Sequence, residues 1–216
     1  MSVAILFQDE HLLVVAKPAG VLSVADARSE TPSVPALLER QGLRAYPAHR
    51  LDRDVSGALL LGRTSALCDE LQQLFRARAL RKIYWGLAAG WLEPRAGKLT
   101  FPILEERSGA RVSARGQPAR TEYRTLRRLH GVSELELDLV TGRRNQIRVH
   151  LAHAGHPLIG ERKYARGRDA VLALRSRRVA LHAWRLSFAH PRGGAAIEVE
   201  APLPADLYEL LRRAGG

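Results

Sequence analysis

The stretch His49-Arg50-Leu51-Asp52-Arg53-Asp54-Val55-Ser56-Gly57 runs directly into the apolar segment Ala58-Leu59-Leu60-Leu61. A short loop of alternating charge thus delivers into a segment that reads as a buried strand. Asp52 lies between Arg50 and Arg53, with His49 and Asp54 further out. A carboxylate in a cationic setting stays ionised at neutral pH, because positive neighbours lower its pKa. Such a group suits a nucleophile or electrostatic stabiliser better than a general acid. Alone, the run reads equally as a solvated loop with local ion pairs, so its meaning depends on the rest of the chain.

Upstream, Ala4–Phe7 and His11–Ala16 read as two strands, followed by a turn at Lys17-Pro18-Ala19-Gly20. Residues 25–33 read as a loop and Val34–Gln41 as a short helix. Downstream, Thr64 is a candidate N-cap for a helix reaching about Arg78, with Leu67, Leu71, Leu74 and Phe75 on its apolar face. Ile83–Ala88, Lys98–Phe101, Thr121–Leu129 and Ser133–Leu139 read as strands. A helix over Asn145–Ala154, an arginine-rich connection over 165–178, strands at Val179–Phe188 and Ala196–Val199, and a helix from Pro204 to Arg213 complete the chain. Runs of strands interrupted by a few helices predict an α+β fold: a mixed or antiparallel central sheet with flanking helices, in one domain over 1–216.

The 216 residues are 46% hydrophobic, enough to bury a core. No apolar run is long enough to span a membrane, and the start resembles no signal peptide. The single cysteine, Cys68, excludes an internal disulfide and a cysteine-based metal cage, which suits a reducing cytoplasm. The net charge of +12 points to a polyanionic partner, most directly nucleic acid. Lysine occurs four times among the 34 basic residues and arginine supplies the remainder. Arginine adds bidentate phosphate contacts and base stacking.

Two further segments concentrate polar chemistry. In Arg81-Lys82-Ile83-Tyr84-Trp85, strand alternation puts Lys82 and Tyr84 on one face and Ile83 and Trp85 on the other. In Thr141-Gly142-Arg143-Arg144-Asn145-Gln146-Ile147-Arg148-Val149-His150, Arg144 and Arg148 are four apart and share a helix face, with Arg144 assigned to solvent or phosphate. His150, His153 and His156 match no standard zinc spacing, so no metal is expected.

These segments, in this order and spacing, resemble the signature motifs of RluA-type pseudouridine synthases. His49-Arg50-Leu51-Asp52 resembles the motif of the catalytic aspartate, Lys82-Ile83-Tyr84 that of a tyrosine stacking on the target uracil. Gly142 to His150 resembles the motif whose arginine, here Arg148, pairs with the aspartate. The likeness continues through Val14–Val21, Gly155–Gly160, Leu181-His182-Ala183 and Ala201–Pro204, nearly the whole chain. Val55 stands where threonine is common and Asn145 where histidine is common.

The resemblance implies a pseudouridine synthase fold with an RNA-binding cleft, and isomerisation of uridine in ribosomal RNA, transfer RNA or both. Asp52, Tyr84 and Arg148 are then catalytic, and Arg50, His49, Lys82, Arg143 and Gln146 substrate-binding. The expected protein is a stand-alone cytoplasmic monomer, without the S4-like domain of many relatives, that needs neither cofactor nor metal. A non-catalytic RNA-binding or ribosome-assembly protein on the same fold, and a hydrolase using Asp52 and Asp54, are the alternatives.

Overall fold

The computed structural model describes residues 2–165 and 174–215, so most of the arginine-rich connection lies outside the described residues. The chain divides into two compact units, Met1–Lys82 with Ala183–Leu203, and Ile83–His182 with Pro204–Gly216.

The first unit carries β1 (Ala4–Gln8), β2 (Leu12–Lys17), α1 (Val34–Arg40), β3 (Tyr46–Pro47), β4 (Ser56–Gly62), α2 (Ser65–Arg76), most of β11 (Leu181–Ala189) and β12 (Ala196–Glu200). Its strands lie in the order β1-β2-β4-β11, with β3 on β4 and β12 on β11. Every residue of β4 is buried, because both faces of this central strand are covered. Leu12, Val14, Ala58 and Leu60 pack with Leu67 and Leu71 of α2 and with Leu186 and Phe188 of β11, while Leu13, Val15, Leu59 and Leu61 on the other face are as deeply buried. Each such leucine contributes about 1.5–3 kcal/mol. Thr64 caps α2 as its sequence predicts, its hydroxyl accepting from Leu67 N at 3.2 Å. In the antiparallel register of β2 with β4, Lys17 falls opposite Gly57. That pairing brings the first turn beside the Asp52 loop. At Gly57 the backbone has φ +125, and a Cβ would lie 2.2 Å from the Ala183 carbonyl oxygen, so a glycine is required.

The second unit carries most of β5 (Leu80–Ala89), β6 (Ala96–Leu99), β7 (Ile103–Glu106), β8 (Gly109–Val112), β9 (Thr121–Leu129), β10 (Val132–Leu139), α3 (Gln146–His153) and α4 (Ala205–Arg213). Strands β5, β10, β9 and β6 are successive neighbours, and every pairing with a described register is antiparallel. The β7–β8 hairpin, whose Ile103 and Ala110 pack with Ala119 and Val149, is absent from the expected elements. Its four-residue strands are too short and too polar to give a periodic signal.

Candidate active site

Asp52 is half-buried on the loop between β3 and β4, and the backbone on either side of it is pinned. Leu51, 5% exposed, donates its N–H to Ser23 Oγ at 2.9 Å, and the Ser23 hydroxyl donates back to the Leu51 carbonyl at 3.0 Å. Val55 N closes a turn on the Asp52 carbonyl at 3.1 Å. The Arg53 carbonyl accepts from Gly20 N at 2.8 Å and from Lys17 Nζ at 3.1 Å. Lys17 is 1% exposed, and its ammonium also donates to the carbonyls of Val21 at 2.7 Å and Pro18 at 3.0 Å. A buried ammonium is costly unless hydrogen-bonded, and these carbonyls lock the first turn to the residue after Asp52. Sequence reading missed Lys17 and Ser23 as loop anchors; the available signal was a lysine ending an apolar strand. Arg53 does not flank Asp52 as expected, since its Nε pairs with the Asp54 carboxylate at 3.2 Å on the surface. Arg50 is exposed and, among the described residues, has no side-chain hydrogen bond or ion pair.

His49 Nε2 accepts the Leu60 N–H at 3.1 Å, and its ring lies 4.5 Å from that of Phe75. Burial, and then the charge of Lys82, push its pKa down to about 3. It is a neutral acceptor that fixes the loop to β4. Lys82 lies over the Phe75 ring, its Nζ 5.4 Å from the centroid. Because His49 has a lowered pKa in the folded state, its contribution to stability is complete above about pH 6.5 and is lost as pH falls from there towards 3. His150, also held down by burial, acts in the same direction. Urea unfolding of the wild type should therefore weaken between pH 7 and pH 5, by at most about 1.4 kcal/mol per pH unit per histidine. His49→Gln should flatten that slope. An unchanged slope in His49→Gln would refute the buried neutral histidine.

On β5 the predicted alternation holds. Tyr84 is 7% exposed and lies opposite Leu137 in register. Trp85 faces the other way, its indole N–H donating to Glu134 at 2.8 Å, with Arg127 closing on the same carboxylate at 2.6 Å.

The segment before α3 departs from its sequence reading. The helix begins at Gln146, and Asn145 adopts a left-handed conformation at φ 54, so Arg144 precedes the helix and shares no helix face with Arg148. Instead, Arg144 holds the β7–β8 hairpin: its N–H donates to Glu105 at 3.0 Å and its Nη1 to the Glu106 carbonyl at 2.9 Å. Asparagine tolerates the left-handed region better than most residues, and Asn145 Oδ1 accepts the Tyr164 hydroxyl at 2.7 Å.

Gln146, expected to bind substrate, is 2% exposed and its amide is occupied within the fold. Its Oε1 accepts from Thr141 Oγ1 at 2.7 Å and Arg143 N at 3.0 Å, and its Nε2 donates to Thr121 Oγ1 and the Arg120 carbonyl, both at 3.0 Å. The Thr121 hydroxyl then donates to His150 Nδ1 at 3.0 Å, because His150 Nε2 faces the Phe101 carbonyl at 2.9 Å and must carry the proton. Gln146 thus sets the entry of α3. Arg143, partly exposed, donates its Nε to the Pro118 carbonyl at 3.2 Å.

Arg148 forms a bidentate fork with Glu161, Nε to Oε2 at 2.7 Å and Nη2 to Oε1 at 3.0 Å. The Glu161 side chain is fully buried and that of Arg148 is 15% exposed. The backbone N–H groups of Lys163 and Tyr164 donate to the same carboxylate at 2.8 and 3.2 Å, and the Tyr164 ring lies 5.3 Å from the guanidinium carbon. Glu161 was not foreseen, although it directly follows Gly155–Gly160. The histidines diverge: His150 serves the Thr121 network, His153 packs edge-on against Phe101 at 4.5 Å, and His156 Nδ1 donates to the Ala89 carbonyl at 3.0 Å. Among the described residues no three metal-ligating side chains cluster.

His49, Arg50, Asp52 and Lys82 belong to the first unit, and Tyr84, Arg143, Gln146 and Arg148 to the second. In chemical terms these units supply a carboxylate on an immobilised loop, a buried tyrosine on a strand, and a guanidinium oriented by a second carboxylate.

Comparison with known proteins gives the same direction throughout. The family model described as RNA pseudouridylate synthase matches residues 11–153. The chain is 38% identical to the ribosomal large subunit pseudouridine synthase D of Nitrosomonas europaea, covering 96% of this chain and 64% of that one. It is 36% identical to the tRNA pseudouridine synthase C of Salmonella typhi, covering 98% of this chain and 89% of that one. Among solved structures, human RNA pseudouridylate synthase domain containing 4 superimposes with a TM-score of 0.81 at 24% identity, over 98% of this chain and 93% of that one.

Proposed function

Since the chain belongs to the RNA pseudouridylate synthase family, we propose that it isomerises uridine to pseudouridine in structured RNA of the large ribosomal subunit, of transfer RNA, or of both. The observation that carries this reading is the Asp52 loop, whose backbone is anchored immediately before and after the carboxylate by Ser23 and Lys17. Anchoring of this kind holds a reacting group in place, whereas a passive RNA-binding loop has no need of it.

The reaction breaks the N1–C1′ bond, turns the uracil and joins C5 to C1′. It is redox-neutral and takes no group from a donor, so neither cofactor nor metal is required. Asp52 is the reacting carboxylate of the cycle, acting at C1′, at the C2′ proton or on the ring. Tyr84 holds the uracil, and Arg148 is the arginine of the third motif. The target nucleotide leaves its stack at a cost of about a few kcal/mol, and the exposed Arg50 takes the vacated place. On this reading the protein works in the cytoplasm, as a monomer. The described residues contain no helix long and apolar enough to cross a membrane.

Chemical mapping of pseudouridine in RNA from cells with and without the gene tests this reading: one or more sites should disappear in the deletion and return with the wild-type gene. Unchanged maps of ribosomal and transfer RNA would favour the non-catalytic RNA-binding alternative. With a net charge of +12, affinity for RNA should also fall steeply with salt. Six to ten phosphate contacts correspond to a loss of about 10³–10⁵ for duplex nucleic acid between 50 and 200 mM. Affinity independent of salt would remove the electrostatic basis of the proposal.

A further inference from the structure

The described helices share one C-terminal geometry. After the last helical residue a capping residue is followed by one in the left-handed conformation: Gly42 after α1 at φ 76, Arg78 after α2 at φ 56, Gly155 after α3 at φ 87 and Gly215 after α4 at φ 94. Around α2 the hydrogen bonds are those of a Schellman motif, Ala79 N to the Leu74 carbonyl at 3.0 Å and Arg78 N to the Phe75 carbonyl at 3.2 Å. Around α1 the same pair runs from Leu43 N to Leu38 and from Gly42 N to Glu39, both at 2.9 Å. Glycine is the low-energy residue there because it lacks a Cβ; any other residue meets steric cost. Three of the four described helices use it, and α2 does not.

A local reason for arginine is missing. The Arg78 side chain is exposed and, among the described residues, has no hydrogen bond or ion pair. The last turn of α2 already carries a cation for its carbonyl end, Arg76. The sequence neighbours of Arg78 are cationic. Arg76, Arg78, Arg81 and Lys82 follow one another without an acidic residue among them. Phe75, the anchor of this turn, packs against the His49 ring and lies under Lys82, so the turn adjoins the start of the Asp52 loop, where Arg50 is exposed. The charge of Lys82 adds to burial in keeping the His49 imidazole neutral.

We propose that the turn Arg76–Lys82 is a phosphate-binding ridge for the RNA strand leading to the target nucleotide, with Arg78 held in an unfavourable backbone conformation so that its guanidinium projects to the phosphate backbone. This rests on the RNA-modifying function proposed above and adds to it a binding surface and its chemistry. Strain retained at an exposed, unpartnered cation is what a binding contact requires and a purely structural cap does not.

The test compares wild type, Arg78→Gly and Arg78→Lys by fluorescence anisotropy with a fluorescein-labelled transfer RNA mixture across 50–300 mM KCl, alongside thermal melting. Arg78→Gly should bind about three- to tenfold more weakly at 100 mM salt, and its salt slope should fall by about one unit. Its melting temperature should be unchanged or higher, by up to about 3 °C, because the left-handed position is relieved. Arg78→Lys should keep most of the slope, since a point charge still neutralises one phosphate. An Arg78→Gly protein with wild-type affinity and slope overturns the ridge, and so does one that melts lower, which would make Arg78 a structural cap. The enzymatic reading fails separately, on wild-type protein that leaves every uridine of its RNA unmodified.

Discussion

Replacing Asp52 by asparagine is expected to lower the single-turnover rate of uridine isomerisation by a factor on the order of 10⁴ or more, as when the central group of a covalent or acid–base cycle is removed. Affinity for RNA should stay within about twofold, because the change removes one negative charge and no favourable phosphate contact. The variant should also fold normally. The loop is held through backbone groups of Leu51, Asp52 and Arg53, which accept from or donate to Ser23, Val55, Gly20 and Lys17, and none of these bonds involves the Asp52 carboxylate. A single-turnover assay with tritium release from C5-labelled uridine RNA, read beside a binding isotherm and a melting curve, checks all three. Retention of a tenth of the wild-type rate would show that Asp52 is not the reacting group. Loss of affinity or fold in parallel with rate would show that the loop needs its carboxylate for structure.

The second large effect is expected at the Arg148–Glu161 pair. Glu161→Gln leaves a guanidinium, 15% exposed at its side chain, facing a neutral amide. Breaking a buried pair on one side costs roughly 3–5 kcal/mol, because an uncompensated charge stays behind. For a chain of this size that corresponds to a fall in melting temperature of about 6–15 °C. Activity should fall with it, since Arg148 loses the fork that fixes its orientation. A doubly apolar variant, Arg148→Met with Glu161→Leu, separates the effects. Exchanging a whole buried pair for apolar groups of similar volume is often neutral or stabilising, so the double variant should regain most of the stability and none of the activity. A Glu161→Gln protein within 1 °C of the wild-type melting temperature would contradict the energetic weight given to the fork. A double variant that is both stable and active would exclude Arg148 from the reaction.

Much of the molecule follows from local sequence alone. Period-two alternation in Ser133–Leu139, the Thr64 cap and the continuous apolar run after Gly57 give elements that the structure repeats to within a residue or two, because these signals depend only on backbone geometry and which face meets water. The motif order that resembles the synthase family is likewise a property of the chain, and it points to the fold and the family. Tertiary structure decided the partners. Lys17 reads as a turn residue until the β2–β4 register brings it beside Arg53. Arg144 and Arg148 look equivalent at a spacing of four until the left-handed Asn145 moves the helix start past one of them. Gln146 resembles a substrate contact until Thr121 and Arg120 occupy its amide, and Glu161 is an unremarked acid until it closes on Arg148. Each of these side chains is polar with several possible partners, so its role is fixed by whichever donor or acceptor the fold buries beside it. That choice is made by residues 13 to 36 positions away, a range at which sequence periodicity carries no information.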